Sequence, residues 1–555
     1  MPGHMARATT AFWTVQGLMA LLYALVVVPT WGWTYWDFGD GNYLYIAGRV
    51  REGAVLYRDI LAPQPPLHIV MGVLFQGIGS LFGEPLYGVR FYCMLCRIAA
   101  AVVLGLIARE AFGCAMRGVV ASALLYLMPI GFWWSLCYQS ENIELPLLLA
   151  AMLLLLRWET RGALWAGVAS GLALHTNMTA LCYFGVNAIF LLCRKPRLAV
   201  PYAGAALGVW GAGAVAAQLA SGGYYLDNTI LNQVGTFPRT EMLAEARAAT
   251  GSGPATLIEY AMGKIASQGA SVLRLEGYLI LAALASLALH AAEGPLWRDI
   301  AADDESARAT RLRREFLCWS AIGMFLSICF TAKGGTMDYI FVLGEPAVAL
   351  FAADASVRLF RASLPARADA APWFSFGNTQ TFLRALFPAG ALALALHVPL
   401  GHIRLTLHEH QAELPEAEAL ALRGFIQTYA KPGELILAPP FYAFLSGTHV
   451  AGEIAENYIW QIKYHNERFD MRTRGANAGL GVRKMEEVAA LLARGEAKAV
   501  LLDMNQTGRI PEIAAAIQQA YIEAEPGPVR TRNVELRLFV PRGTPLRHAP
   551  LMPRP

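Results

Sequence analysis

Asp40, Glu141 and Glu144 are carboxylates set in aromatic and apolar sequence, where an acid either does chemistry or caps a helix. Asp40 stands in FGDGNYLY, between Gly39 and Gly41. Glycines on both sides let the backbone turn and would leave the carboxylate open to accept, or to align, the proton of a hydroxyl during group transfer. The same aspartate could instead cap a helix starting near Asn42. Asp37 is a poorer candidate, wedged between Trp36 and Phe38. Glu141 and Glu144 lie one helical turn apart in SENIELP, directly before LLLAAMLLLL. A helix dipole would stabilise both, yet acids at the mouth of a long apolar run are functional candidates by default. Glu144 is the expected partner of Asp40.

Other polar groups gather in the same kind of loop. Tyr43, Tyr57, Arg58 and Asp59 follow Asp40, and His175 and Asn177 interrupt a long apolar stretch. Asn232, Gln233 and Arg239 lie in one further loop, and Lys333, Asp338 and Tyr339 in TAKGGTMDY. Arg58, Arg239 and Lys333 could hold a phosphate as charge-assisted donors; the plainer reading of each is a charge facing water or lipid headgroups. The chain has no Walker A pattern, no H-E-x-x-H and no dense His/Cys/Asp set. No cofactor and no metal are therefore expected. Glycosyl transfer to a hydroxyl needs neither if cations stabilise a lipid-phosphate leaving group.

A membrane frame must position these residues. Of 555 residues, 56% are hydrophobic and 15% charged, where a soluble chain carries about 25% charge. A net charge of +4 is too small to argue for nucleic acid. All eight cysteines fall in or beside apolar segments, none after Cys329, which excludes a disulfide-stapled outer domain. Cys93 and Cys96 are spaced C-x-x-C but sit in FYCMLCRIAAAVVLGLIA, and read as buried small side chains.

The run from Phe12 to Pro29 can cross a bilayer, and VVVPTWGW closes it in place of a small-residue cleavage site, so it reads as a retained span. Apolar runs follow at 89–108, 118–134, 143–156, 163–193, 199–221, 275–291, 316–332, 339–355 and 385–400. Lys and Arg flank alternate connections, at Arg7, Arg109 and Arg117, Arg157 and Arg161, Arg194 to Arg197, Arg298 to Arg314, and Arg358 to Arg367. This bias puts the N-terminus inside and the aromatic shelf Trp36–Leu67 outside. It makes 67–82 a juxtamembrane helix. It also splits 163–193 into two short crossings with an apex near His175–Thr179. The fold class expected is mainly α, a polytopic membrane protein of about eleven transmembrane helices. The charged segment 293–315 reads as a short inner helix or loop. No internal repeat is visible.

Beyond residue 402 the pattern changes to alternating helix and strand. Helices are expected near 415–429, at KMEEVAALLARGE and at PEIAAAIQQAY, and strands at GELILAPP, AKAVLLDMN and NVELRLFVPR. Residues 1–402 thus read as a transmembrane domain and 403–555 as a small extracytoplasmic α/β domain.

In its order of motifs the chain resembles the GT-C membrane glycosyltransferases of the protein O-mannosyltransferase-like group, glycosyltransferase family 39, whose relatives include the aminoarabinose transferases of lipid A. GDGNYLYIAGRVREGAVLYRDILAPQPPL resembles the family's acid, aromatic helix and P-P-L segment; Glu144-Leu145-Pro146-Leu147 resembles its D-x-P-L motif, GLALHTNMTA its G-L-A-L-x-T-K-x-T-A segment, and Asp338-Tyr339 its late H-Y-type motif. The resemblance implies a sugar donor on a polyprenyl phosphate and a lipid, glycan or protein hydroxyl as acceptor. Asp40 would be the general base or the carboxylate that orients the acceptor, with inversion at the anomeric carbon. It places the chain in a cell membrane of the bacterial inner-membrane kind. Two family lysines are replaced here, by Gln64 and Asn177, so Arg58, Arg239 or Lys333 would rebuild the phosphate grip. The competing readings are a transporter or lipid-glycan flippase, disfavoured by the lack of repeats, and a catalytically inactive transferase relative.

Overall fold

The computed structural model describes residues 2–31, 40–231, 247–248, 253–254, 256–292, 305–332, 338–363, 416–455, 485–504, 506–524, 529–530 and 535–546. Its first part is a helical bundle. Helix α1 (Pro2–Val27) is followed by the first-loop helices α2 (Asp40–Arg51) and α3 (Pro66–Leu81), then by α4 (Pro85–Phe112), α5 (Ala115–Leu127), α6 (Pro129–Trp134) and α7 (Ser140–Leu155). Next come α8 (Thr160–Leu174), α9 (Ala180–Arg194), α10 (Pro196–Ala220), α11 (Leu257–Ala292), α12 (Glu305–Leu326) and α13 (Glu345–Ser363). Prolines open α3, α4, α6 and α10 at the first turn, where a missing N–H costs nothing. Gly113, with φ +60°, ends α4 in the left-handed region. Among the described residues, Thr9–Thr30 and helices α4, α10 and α11 are long and apolar enough to cross a membrane. The chain is a multi-pass membrane protein.

Several spans depart from the runs expected. The run 118–134 is two helices, because Pro129 cannot continue the hydrogen bonding of α5. The run 275–291 belongs to a helix of 36 residues, about 54 Å at 1.5 Å per residue. The segment 305–315 is the start of α12, and 3-10 turns are formed at Ser327–Ala332 and Asp338–Leu343 before α13. The break expected near His175–Thr179 is present between α8 and α9. The run 385–400 lies outside the described residues.

The bundle packs α4 against α3, α5 and α7, α8 against α7 and α10, α9 against α12, and α13 against α5 and α11. Ion pairs tie it internally. Asp354 of α13 meets Arg117, Arg358 and His290 at 2.7, 2.7 and 2.9 Å and accepts from Ser286 at 2.8 Å. Arg97 of α4 meets Glu345 at 3.0 Å.

The second part is a mixed sheet with flanking helices. Its strands are β1 (Leu435–Leu437), β2 (His449–Val450), β3 (Ala499–Asp503), β4 (Tyr521–Glu523), β5 (Val529–Arg530) and β6 (Glu535–Pro541). The order is β2-β1-β3-β6-β4, with β5 also on β6; β2, β1 and β3 run parallel, and β6 is antiparallel to its neighbours. Helices α14 (Glu416–Tyr429), α15 (Pro440–Ser446), α16 (Met485–Ala493) and α17 (Pro511–Ala520) accompany it. Each helix and strand expected in this region is present; α15, β2, β4 and β5 are additional. One apolar cluster joins the two parts, running from Leu44 and Ile46 of α2 to Ile436, Phe441 and Val450.

Candidate active site

Asp40 is the first residue of α2 and is 0% exposed. The open carboxylate expected from its flanking glycines is closed. Arg90 of α4 donates from Nη1 to Oδ1 at 2.7 Å and from Nη2 to Oδ2 at 2.6 Å, and the Tyr138 backbone N–H also donates to Oδ1. What Gly41 provides is a seat for the second part of the chain, since a Cβ there would stand 2.6 Å from Phe441 Cβ and 3.3 Å from its Cα. The segment that presents the Tyr138 N–H is fixed by Asn142, whose Nδ2 donates to the carbonyls of Trp134 and Cys137 at 2.6 and 2.9 Å. The partner of Asp40 is therefore Arg90, and Glu144 is held elsewhere.

Beside this pair lies a stack of rings from the first loop. His68 is stacked on Tyr138 at 4.2 Å between centroids and meets Tyr43 edge-on at 4.6 Å. Tyr138 Oη donates to the His68 carbonyl. Gly72 leaves room for that ring, because a Cβ there would lie 2.5 Å from Tyr138 Oη. Gln64 donates from Nε2 to Tyr43 Oη at 2.9 Å, and Tyr57 Oη donates to the Gln64 carbonyl at 2.8 Å. Tyr57 holds φ +69°, uncommon for a residue with a side chain, while Asn228 donates to its carbonyl at 3.2 Å. Tyr43 and Tyr57 thus shape the shelf, and Gln64 is a member of it.

The α8–α9 elbow brings the remaining acids in. Leu67 N donates to the His175 carbonyl at 3.0 Å, which ties the elbow to the start of α3. Asn177 donates from Nδ2 to Glu141 Oε1 at 2.7 Å and to Ser140 Oγ at 3.0 Å, and its Oδ1 accepts from Thr179 N at 3.2 Å. Thr179 Oγ1 donates to Glu144 Oε2 at 2.7 Å. Glu144 is 0% exposed, and its Oε1 takes no hydrogen bond from the described residues. His175 points away, its Nε2 3.2 Å from the Val209 carbonyl.

The candidate cations fare differently. Arg58 is 39% exposed and pairs with Asp59 at 2.8 Å. That guanidinium holds the Asp59 carboxyl below the usual carboxylate range. Asp338 and Tyr339 open the 3-10 turn before α13. Asp37, Asn232, Gln233, Arg239 and Lys333 lie outside the described residues. The reading from sequence missed Arg90, Arg97, His68 and Tyr138. Arg90 and Arg97 did carry a signal. They stand two helical turns apart inside an otherwise apolar run, where an arginine is kept only against a buried partner.

A polytopic bundle with acids and amides gathered under a helical first loop has the fold of the GT-C membrane glycosyltransferases, as the resemblance implies. The profile of the family described as dolichyl-phosphate-mannose-protein mannosyltransferase matches residues 64–216, which include Gln64, Arg90, Glu141, Glu144 and Asn177 but not Asp40. Among solved structures, ArnT from Cupriavidus metallidurans bound to undecaprenyl phosphate is similar at TM-score 0.58 and 14% identity, over 93% of this chain and 97% of that one. The Archaeoglobus fulgidus oligosaccharyltransferase in its apo form is similar at TM-score 0.53 and 13% identity, over 91% of this chain and 71% of that one. No curated protein matches the chain in sequence.

Proposed function

We propose that the protein is an integral-membrane glycosyltransferase. It moves a sugar from a polyprenyl-phosphate donor to a hydroxyl of a lipid, glycan or protein on the extracytoplasmic side, with the N-terminus cytoplasmic and the C-terminal sheet outside. The observation that carries this is the gathering of Asp40 on α2, Glu141 and Glu144 on α7 and Asn177 in the α8–α9 elbow, under the first loop of a GT-C fold. The carboxylates share the work unequally. Glu144, with one oxygen uncommitted among the described residues, is the proposed general base for the acceptor hydroxyl. Asp40, charge-balanced by Arg90, orients the acceptor through the second lone pair of Oδ2. Inversion at the anomeric carbon follows from direct attack. Tyr43, Tyr57, Glu141, Asn177, Asp338 and Tyr339 line the proposed substrate path, and Arg58, Arg239 and Lys333 are the proposed partners of the leaving phosphate. The ArnT structure contains undecaprenyl phosphate, which supports a lipid carrier of that chemistry.

The test is the purified protein in nanodiscs with radiolabelled polyprenyl-phosphate sugars and extracted membrane lipids, glycans and peptides. Label moving to an acceptor, with polyprenyl phosphate released, is expected. Translocation of the labelled lipid across proteoliposomes without sugar transfer would make the protein a flippase and end this reading.

A further inference from the structure

Helix α2 is gripped from opposite sides. At about 100° per residue, Tyr45 and Arg49 stand roughly 140° and 180° around the helix from Asp40. Asp40 faces Arg90, and the other face meets Glu453, in the stretch that follows β2. Tyr45 Oη donates to Glu453 Oε2 at 2.9 Å, Arg49 donates from Nε to both Glu453 oxygens at 3.1 and 3.3 Å, and Arg49 Nη2 lies 2.9 Å from Oε1. Val450 N donates to the same Tyr45 oxygen at 2.7 Å, and the Glu453 carbonyl accepts from Leu61 N at 3.4 Å. Arg49 also lies 2.8 Å from His449 Nε2.

The backbone at this point is unusual. Glu453 has φ +51°, directly after Gly452 at φ +79°. A glycine is the ordinary occupant of such a conformation. A side-chain-bearing residue is kept there only where its surroundings hold it, and such positions cluster at working sites. A glutamate in this place implies that its carboxylate is needed.

We infer that Glu453 is a positioning residue. From the C-terminal sheet it fixes the rotation and axial setting of α2, and so the seat of the Asp40 carboxylate against Arg90 and the Tyr138 N–H. The inference rests on the transferase reading for its consequence in turnover, but not for the clamp itself. A helix of twelve residues with its reactive group at one end is set by what touches its far face. Misplacing a reacting group by about 1 Å costs on the order of 100-fold in rate.

The experiment uses the full chain in nanodiscs and two variants. Glu453→Gly removes the carboxylate and relieves the left-handed backbone; Glu453→Gln keeps an acceptor for Tyr45. Hydrogen exchange of α2 amides and steady-state transfer from a polyprenyl-phosphate sugar are measured together. Glu453→Gly is expected to exchange at least tenfold faster in α2 alone, with kcat down at least tenfold and KM for the donor unchanged. Glu453→Gln is expected to recover part of both. Unchanged α2 exchange in Glu453→Gly overturns the clamp. Faster exchange across the bundle helices as well makes the role merely structural and overturns it too, as does faster α2 exchange with kcat unaltered. If the unaltered protein transfers no sugar, the transferase reading falls, while the exchange pattern still decides the clamp.

Discussion

Arg90 meets Asp40 fork to fork, Nη1 on Oδ1 at 2.7 Å and Nη2 on Oδ2 at 2.6 Å, and neither side chain reaches solvent. The pair joins the first loop to α4, which ties the seat of the site to the stability of the bundle.

Removing one partner of such a pair strands a buried charge. Arg90→Ala is expected to lose about 3–5 kcal/mol of stability. Arg90→Lys keeps the charge but loses the planar fork, and is expected to retain the fold with transfer lowered at least tenfold. Thermal unfolding in detergent and donor consumption check both; an Arg90→Ala protein as stable as the unaltered one would remove the pair from the frame.

Glu144→Gln keeps an oxygen for Thr179 and abolishes the basic one. Folding should be unaffected and kcat should fall by about 100-fold to 10,000-fold, the range of general-base assistance. Thr179→Val, which frees the carboxylate to swing, should cost less than Glu144→Gln. Full activity in Glu144→Gln would transfer the base role to another group.

Gln64 already donates to Tyr43 and stands where the family resemblance leads one to expect a lysine. Gln64→Lys should be tolerated and should lower KM for the donor about tenfold, the effect of roughly 1.4 kcal/mol from one charge-assisted bond to phosphate. KM and its dependence on ionic strength are the measurements, and an unchanged KM would place the phosphate away from this residue.

Acidity should loosen the contact between α2 and the C-terminal sheet. The Glu52 carboxyl is lowered from its ordinary 4.5, first by its bond to the His449 ring and then by Arg49. His449 meets it across this contact, and Arg49, three residues before it on the same segment, also binds His449 and Glu453. A depressed carboxyl contributes stability that is complete above its unfolded value and lost as pH falls through the folded one. Hydrogen exchange in α2 should therefore quicken below about pH 4.5, and Glu52→Gln should flatten that dependence. A parallel response in both proteins would assign the acid sensitivity to other groups.

Much of the architecture was legible where a period or a breaker governs locally. The alternation beyond residue 402 read correctly as strands and helices, and the polar interruption at His175–Thr179 read correctly as an elbow, since Asn177 turns the chain there by accepting from Thr179 N. Pro129 was passed over because apolar side chains continue on both sides of it. The site was legible in its members more than in its pairings. Asp40 was visible as an acid between glycines, yet Gly41 answers to the approach of Phe441 and not to an open carboxylate. Arg90 is separated from Asp40 by fifty positions of chain, and no local pattern reports a contact of that span. His68 and Tyr138 look like ordinary interface aromatics until they are stacked.

The parallel strands β1 and β2 end toward α2, since Phe441 and Glu453, which follow them, both touch that helix. In open α/β sheets, the carboxyl edge of parallel strands is where small molecules are usually received. At these two strands that berth is taken by a piece of the same polypeptide. The small sheet treats α2 as its resident guest, and an outside molecule recognised by this domain has to approach along another border.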